Sequence, residues 1–241
     1  MAGHSKWAKV KHFKGAIDAK RGKIFAKLGR EITIATKLTG RDPDMNPRLR
    51  MVLLRCRIAS MPKENIERAI KKGLGDDGGV SYDDLTYEIF APGGVAVLVE
   101  ISTDNRNRTA AEIRSLVTKA GGSLATAGAV SRLFQRKGQI SVPREAAAED
   151  ELMALALEAG AEDFEAEAEG FEILTEPGNF ETVHKQIEAK GVKCAAAAVT
   201  WLPLATAPVA GGESAAVSRL LEALEEHDDV KEVFSNAEFA A

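Results

Sequence analysis

Apolar residues recur at helical intervals from Gly15 onward. Ile17, Ile24, Phe25, Leu28, Ile32 and Ala35 fall on one face, and Lys20, Arg21, Lys23, Lys27 and Arg30 take much of the remainder. Gly40 with Asp42-Pro43 ends this helix. Asn46-Pro47 starts the next, with an N-cap residue followed by proline at the first helical position. Leu49, Val52, Leu53 and Cys56 give it an apolar face, surrounded by Arg48, Arg50, Arg55 and Arg57. Pro62 opens a third helix through Ile66, Ala69 and Ile70, with Gly73 as its C-cap. The Gly-Asp run 73–79 is a flexible boundary. Ahead of the first helix, residues 4–14 (HSKWAKVKHFK) show neither period and read as a basic arm.

Beyond residue 79 the pattern is mixed. Strands are predicted at 86–91 and 95–102 around a Pro92-Gly93-Gly94 turn, then a helix at 108–120 ended by Gly121-Gly122. Strand 131–142, helix 149–159, strands 162–168 and 171–175, helix 179–190 and strand 194–202 form a complete ferredoxin-like βαββαβ unit. The uncharged stretch 194–212 contains Pro203, Pro208, Gly211 and Gly212, and reads as strand plus linker rather than a membrane span. Helix 213–226 and strand 230–235 have no partners of their own, so they return to the sheet begun at 86–102.

The predicted fold class is therefore α+β. A three-helix module at 1–78 precedes a discontinuous α/β sandwich at 79–130 plus 207–241, into which an acidic ferredoxin-like domain at 131–206 is inserted.

Charge sharpens this division. The net charge of −4 conceals +13 over residues 1–75, zero over 76–144 and −17 over 145–241. Such asymmetry points to a polyanion partner for the N-terminal third, with a merely solvated Lys-rich surface as the competing reading. The acidic third would repel nucleic acid and aid solubility. Aromatic content of 5% implies a mostly aliphatic core. Cys56 and Cys194 cannot make a disulfide scaffold, which fits a reducing cytosol. Lys6, Lys9 and Lys11 have no apolar run behind them, so no secretory signal is expected and the location is cytoplasmic.

In the arm, Trp7 and Phe13 alternate with Lys6, Lys9, Lys11 and Lys14. Cations bind phosphates, and exposed aromatics stack on unpaired bases; equally, the aromatics could pack the arm onto the helices. The run Thr103–Thr109 (TDNRNRT) joins a strand to a helix. Its cap and its arginines, Arg106 and Arg108, could hold a phosphate, although a plain cap is also adequate. His4, His12, His184 and His227 share no metal-ligand spacing with the cysteines. Neither common glycine-rich phosphate loop is present. The pairs Asp76-Asp77, Asp83-Asp84 and Asp228-Asp229 read as solvated acids in turns. No catalytic residue, metal or cofactor is predicted.

The opening MAGHSKW, with DAKRGKIFAKLGREI, DPDMNPRLR, MPKENIERAIKKG, YEIFAPGGVAVLVEISTDNRNRT, KAGGSLATAGAVSRLF, EAGAED and LEEHDDVKEVFSN, resembles the YebC family over nearly the whole chain. The chain departs from the family pattern at Ile89-Phe90-Ala91, and at Lys9-Val10-Lys11, which adds positive charge. The resemblance implies a non-enzymatic, three-domain protein of the kind described as DNA-binding transcriptional regulators. Organellar relatives are described as translational activators of the cytochrome c oxidase activator type, and bacterial ones as ribosome-associated factors.

The expected function is nucleic-acid-binding regulation of gene expression. Its partner is DNA in one reading, ribosomal RNA or the ribosome in the other, and no membrane. A metal-dependent nuclease is the enzymatic alternative. The candidate contacts are Lys6, Trp7, Lys9, Lys11, Lys14, Lys20, Arg21, Lys23 and Lys27, with Arg106 and Arg108 as a second set.

Overall fold

The computed structural model describes residues 17–76 and 82–239. It divides into two compact units, one of residues 71–135 with 202–239, the other of residues 17–70 with 136–201. Each is described by itself.

In the second unit, α1 (Ile17–Thr39), α2 (Pro47–Ile58) and α3 (Lys63–Lys71) surround a core of Leu28, Ile32, Ala35, Leu49, Val52, Cys56, Met61 and Ala69. Gly40, at φ 92°, ends α1 in the left-handed conformation and donates its N–H to Thr36 O. Asn46 then does two jobs. Its Oδ1 accepts from Leu49 N–H at 3.0 Å, capping α2, while its Nδ2 donates to the carbonyls of Ala35 and Gly40, each at 2.8 Å. One fully buried side chain thus fixes the corner between two helices. Thr33 Oγ1, hydrogen-bonded to Ala69 O, ties α1 to α3.

The same unit holds most of β4 (Phe134–Pro143), then α5 (Glu149–Glu158), β5 (Asp163–Ala166), β6 (Gly170–Thr175), α6 (Phe180–Ala189) and most of β7 (Ala196–Pro203). The sheet order β5-β6-β4-β7 is that of a ferredoxin-like βαββαβ unit. Ile140, Val142, Phe171 and Ile173 on the sheet meet Leu152, Ala156, Phe180, Val183 and Ile187 on the helices. Gly138 is required by close approach: a Cβ there would collide with Thr175 Oγ1 and lie 2.7 Å from Phe180. On the sheet's other face Lys137 pairs with Glu162 and Glu176, and the Gln139 amide donates to Glu172.

In the first unit, β1 (Asp83–Phe90) and β2 (Ala96–Thr103) form an antiparallel hairpin with Asp83 opposite Thr103 and Phe90 opposite Ala96. Gly93 and Gly94, both at φ 73°, make the turn after Pro92, conformations a side chain resists. After α4 (Arg106–Lys119) and β3 (Ser123–Leu124) the chain leaves. It returns as β8 (Ala207–Val209), α7 (Gly211–Glu226), β9 (Val230–Ser235) and β10 (Ala237–Phe239). β9 pairs antiparallel with β2, giving the order β3-β1-β2-β9, so the sheet is built from both sides of the insertion. One sheet face packs on α4 and α7 through Val97, Val99, Ile101, Ile113, Val117, Val217, Leu220 and Val233. β8, within the stretch expected to be linker, forms a small parallel pair with β10.

The segment 131–133, expected to begin a strand, is instead a single tight turn. The buried Glu88 carboxylate explains it by accepting the N–H groups of Gly128, Val130 and Ser131 at 2.7, 2.5 and 3.1 Å. A donor drawn to Glu88 cannot join a ladder.

Candidate nucleic-acid interface

Lys6, Trp7, Lys9, Lys11, Lys14 and Phe13 lie outside the described residues, as does the side chain of Lys20. The rest of the predicted α1 contacts are described. With Leu28, Ile32 and Ala35 turned to the core, Lys23, Lys27 and Arg30 follow at i, i+4 and i+7 along a different face. Arg21 and Lys23 are exposed, Lys27 and Arg30 half-buried. Arg68 and Lys63 on α3 add exposed cations to the module, Lys63 paired with Glu67 at 3.6 Å.

Arg106 and Arg108 sit at the start of α4, where Asn105 Oδ1 accepts the Arg108 N–H at 3.1 Å. Both guanidinium groups are engaged by carboxylates. Arg106 Nε donates to Asp83 at 2.8 Å, and Arg108 Nη2 donates to Asp229 at 2.7 Å and to Asp104 at 3.0 Å. The cap and its arginines are thus joined to β1 and to the start of β9.

Asp229 is the centre of that junction and differs from the solvated acid expected of an Asp-Asp turn. It is 5% exposed, and its Oδ2 accepts from Thr109 at 2.6 Å, Arg108 at 2.7 Å and Thr103 at 3.2 Å. Burial pushes its pKa up, but the bonds from Thr109 and Arg108 and the Arg108 charge outweigh burial, with Thr103 adding to them, and hold it at about 2. Asp83 and Asp84 are also employed, through Arg106 and through Lys231 at 3.2 Å. The partners lie over a hundred residues away in sequence for Asp229 and Asp84, so adjacency alone gave no signal.

Among the described residues, Glu112, His227 and Asp229 bring their potential ligand atoms within 4.8 Å of one another. Internal bonding accounts for them. His227 Nδ1 accepts the Asp229 N–H at 3.1 Å, which puts the ring proton on Nε2, 2.9 Å from Glu112. Burial pushes the Cys56 thiol up to about 11 and the Cys194 thiol up to about 12, so neither is an activated thiolate at neutral pH.

Sequence reasoning did not single out the arginines of α2. Arg55 pairs with Glu31 of α1 at 2.9 Å. Arg50 and Arg57 reach the ferredoxin-like part of their own unit. Arg50 Nε lies 2.5 Å from Glu181 Oε1 and its Nη2 donates to Glu181 Oε2 at 3.0 Å, while Arg57 Nη1 lies 3.1 Å from Glu188. Met51, Leu54 and Ile58 of the same helix pack against the ferredoxin-like core. Both ion pairs join residues seven apart on one helix to residues seven apart on another, a repeat visible only once the helices are paired.

Comparison with known proteins bears on the whole chain. Residues 5–76 match the family described as TACO1/YebC protein N-terminal domain, and residues 82–237 match TACO1/YebC second and third domain. A probable transcriptional regulatory protein of Dictyoglomus thermophilum is 51% identical over 237 residues, covering 98% of this chain and 95% of the relative. A protein of the same name from Carboxydothermus hydrogenoformans is 49% identical over 241 residues, covering 99% of each chain. The crystal structure of a conserved hypothetical protein from Aquifex aeolicus matches with a TM-score of 0.87 and 47% identity, covering 98% of both chains. The chain belongs to the TACO1/YebC family.

Proposed function

We propose that the protein is a non-enzymatic regulator of gene expression that docks on nucleic acid through its N-terminal helical module, in the cytoplasm. The observation that carries this reading is the net charge of +13 over residues 1–75 against −17 over 145–241, with Arg21, Lys23, Lys27 and Arg30 on α1 beside its core-facing residues. Phosphate contacts need nothing more specific than such a row. The relatives' shared name, probable transcriptional regulatory protein, supports a regulatory role. Lys6, Lys9, Lys11 and Lys14 extend the row in sequence. Arg106 and Arg108, paired with carboxylates, serve first to hold α4. The division of labour follows the parts 1–78 for binding, 79–130 with 207–241 for positioning, and 131–206 for solubility or protein contact.

A non-enzymatic reading suits the internal bonding of Glu112, His227 and Asp229. No helix of the described residues is long and apolar enough to cross a membrane. A second reading takes ribosomal RNA as the polyanion, favoured by Trp7 and Phe13 among the arm's lysines, since aromatics stack only on bases already unpaired.

Binding of the full chain to duplex DNA and to a loop-containing RNA should weaken steeply with salt. The expected log–log slope on duplex DNA is about −0.9 per phosphate neutralised. A flat slope would defeat electrostatic docking. In the RNA reading, replacing Trp7 and Phe13 with Ala weakens RNA by ~2 kcal/mol or more and spares duplex DNA. Equal losses on both polymers would sink the stacking argument and leave the DNA reading untouched.

A further inference from the structure

We propose that Arg50 and Arg57 of α2 form a second phosphate-binding surface, occupied in cis by Glu181 and Glu188 of the inserted domain, so that nucleic acid engages it by displacing those carboxylates. This rests on the nucleic-acid reading above and adds a second contact surface and its control.

The geometry of Arg50 carries the argument. Its Nη1 donates to Pro43 O at 2.6 Å and to Asp44 O at 3.2 Å, both in the loop that leads into α2. The helical module therefore orients the guanidinium with its own carbonyls. The remaining Nε–Nη2 edge is the fork that suits a carboxylate or a phosphate, and Glu181 fills it. Arg57 lies two helical turns along, roughly 10 Å away, with its side chain 71% exposed and Glu188 on its guanidinium. A carboxylate at each position stands where a phosphate oxygen would bind.

Displaced, the acids keep other partners, since Glu188 also lies 3.6 Å from His184 Nδ1. Glu181 also pairs with Lys185 at 3.0 Å, and the Glu181 and Glu188 side chains are 34% and 39% exposed. Water and Lys185 replace the arginines. The Arg57–Glu188 pair is the more exposed and exchanges readily, the Arg50–Glu181 pair is the tighter one, and a polyanion that spans both arginines gains from releasing counterions at each. Arg55 is different. Its carboxylate partner, Glu31, is a buried member of the same module, so Arg55 is a structural contact.

The test is anisotropy of a labelled RNA hairpin and a labelled DNA duplex, titrated with the full chain at several salt concentrations. The variant Glu181→Gln/Glu188→Gln keeps shape and removes the competing charges. It should bind at least about three-fold tighter than wild type. A control variant, Glu151→Gln/Glu165→Gln, removes the same charge from exposed sites on α5 and β5 and should gain clearly less. Adding Arg57→Gln to the first variant should cancel part of the gain and flatten the salt slope. Arg57 is exposed enough that this change should spare folding, and a melting curve checks it. Equal gains in both Glu variants, no gain, or a loss would each overturn the displacement. If wild type itself binds neither polymer with a salt-dependent affinity, the underlying nucleic-acid reading fails instead.

Discussion

At the junction of α4 and β9, Asp229 gathers Thr109, Arg108 and Thr103 on one carboxylate oxygen, and its pKa falls from 3.8 to about 2. A depressed folded-state pKa stabilises the protein fully above the unfolded value. That stability declines as pH falls below 3.8 and is gone below about 2. Asp229→Asn should therefore cost ~2–4 kcal/mol at neutral pH, because two threonine hydroxyls and a guanidinium lose an ionised acceptor. Urea unfolding of both proteins from pH 7 down to about pH 2 should show the gap narrowing at the acid end. A gap constant over that range would place the loss in packing. Glu88 works in the same direction: burial pushes its pKa up, yet the N–H groups of Gly128, Val130 and Ser131 hold it below the ordinary glutamate range.

At the scale of elements, Asn46 shows what a sequence reveals and what it hides. Asn46-Pro47 announces a helix start because capping is local, and the cap is there. The two bonds from Nδ2 to Ala35 and Gly40 depend on where α1 ends, which spacing does not record. Asn46→Ala should cost ~2–3 kcal/mol by chemical denaturation, more than a surface cap, since two buried carbonyls lose their donor as well. Asn46→Asp keeps the cap oxygen but sets a carboxylate oxygen against the two carbonyls that Nδ2 now serves, so it should cost at least as much as Asn46→Ala; if it matched wild type, the carbonyl bonds would carry no stability. The same divide runs through the fold. Long periodic segments such as α1, α2 and β2 were legible, and so was the α+β class with its discontinuous sheet. β8 and β10 were not, being three residues each, one of them Ala-Pro-Val, with partners far along the chain. On the candidate interface, the basic face of α1 follows from period alone. That Asp83 and Asp229 occupy Arg106 and Arg108, and that Glu181 and Glu188 meet Arg50 and Arg57, is tertiary information.

For the molecule as a whole, the basic helices and the acidic βαββαβ segment lie far apart in sequence yet belong to one compact unit, and the less charged sheet of β1, β2 and β9 to another. That sheet sets a timetable for synthesis. β2 leaves the ribosome with one edge unpaired, and its partner β9 is complete only at Ser235. At ordinary translation rates the edge waits on the order of ten seconds. Throughout that interval the apolar face that α7 will cover stays open to misassociation. The inserted strands and helices, contiguous from Phe134 to Pro203, can close their own core meanwhile. Nascent chains stalled with residue 209 outside the exit tunnel should thus resist brief proteolysis over 134–203 and be cut within 83–103, while chains stalled beyond residue 239 should resist in both. Protection of the hairpin at the earlier stall would show that β1, β2 and α4 hold together without β9. Otherwise the order in which the parts mature is the reverse of the order in which the sheet begins.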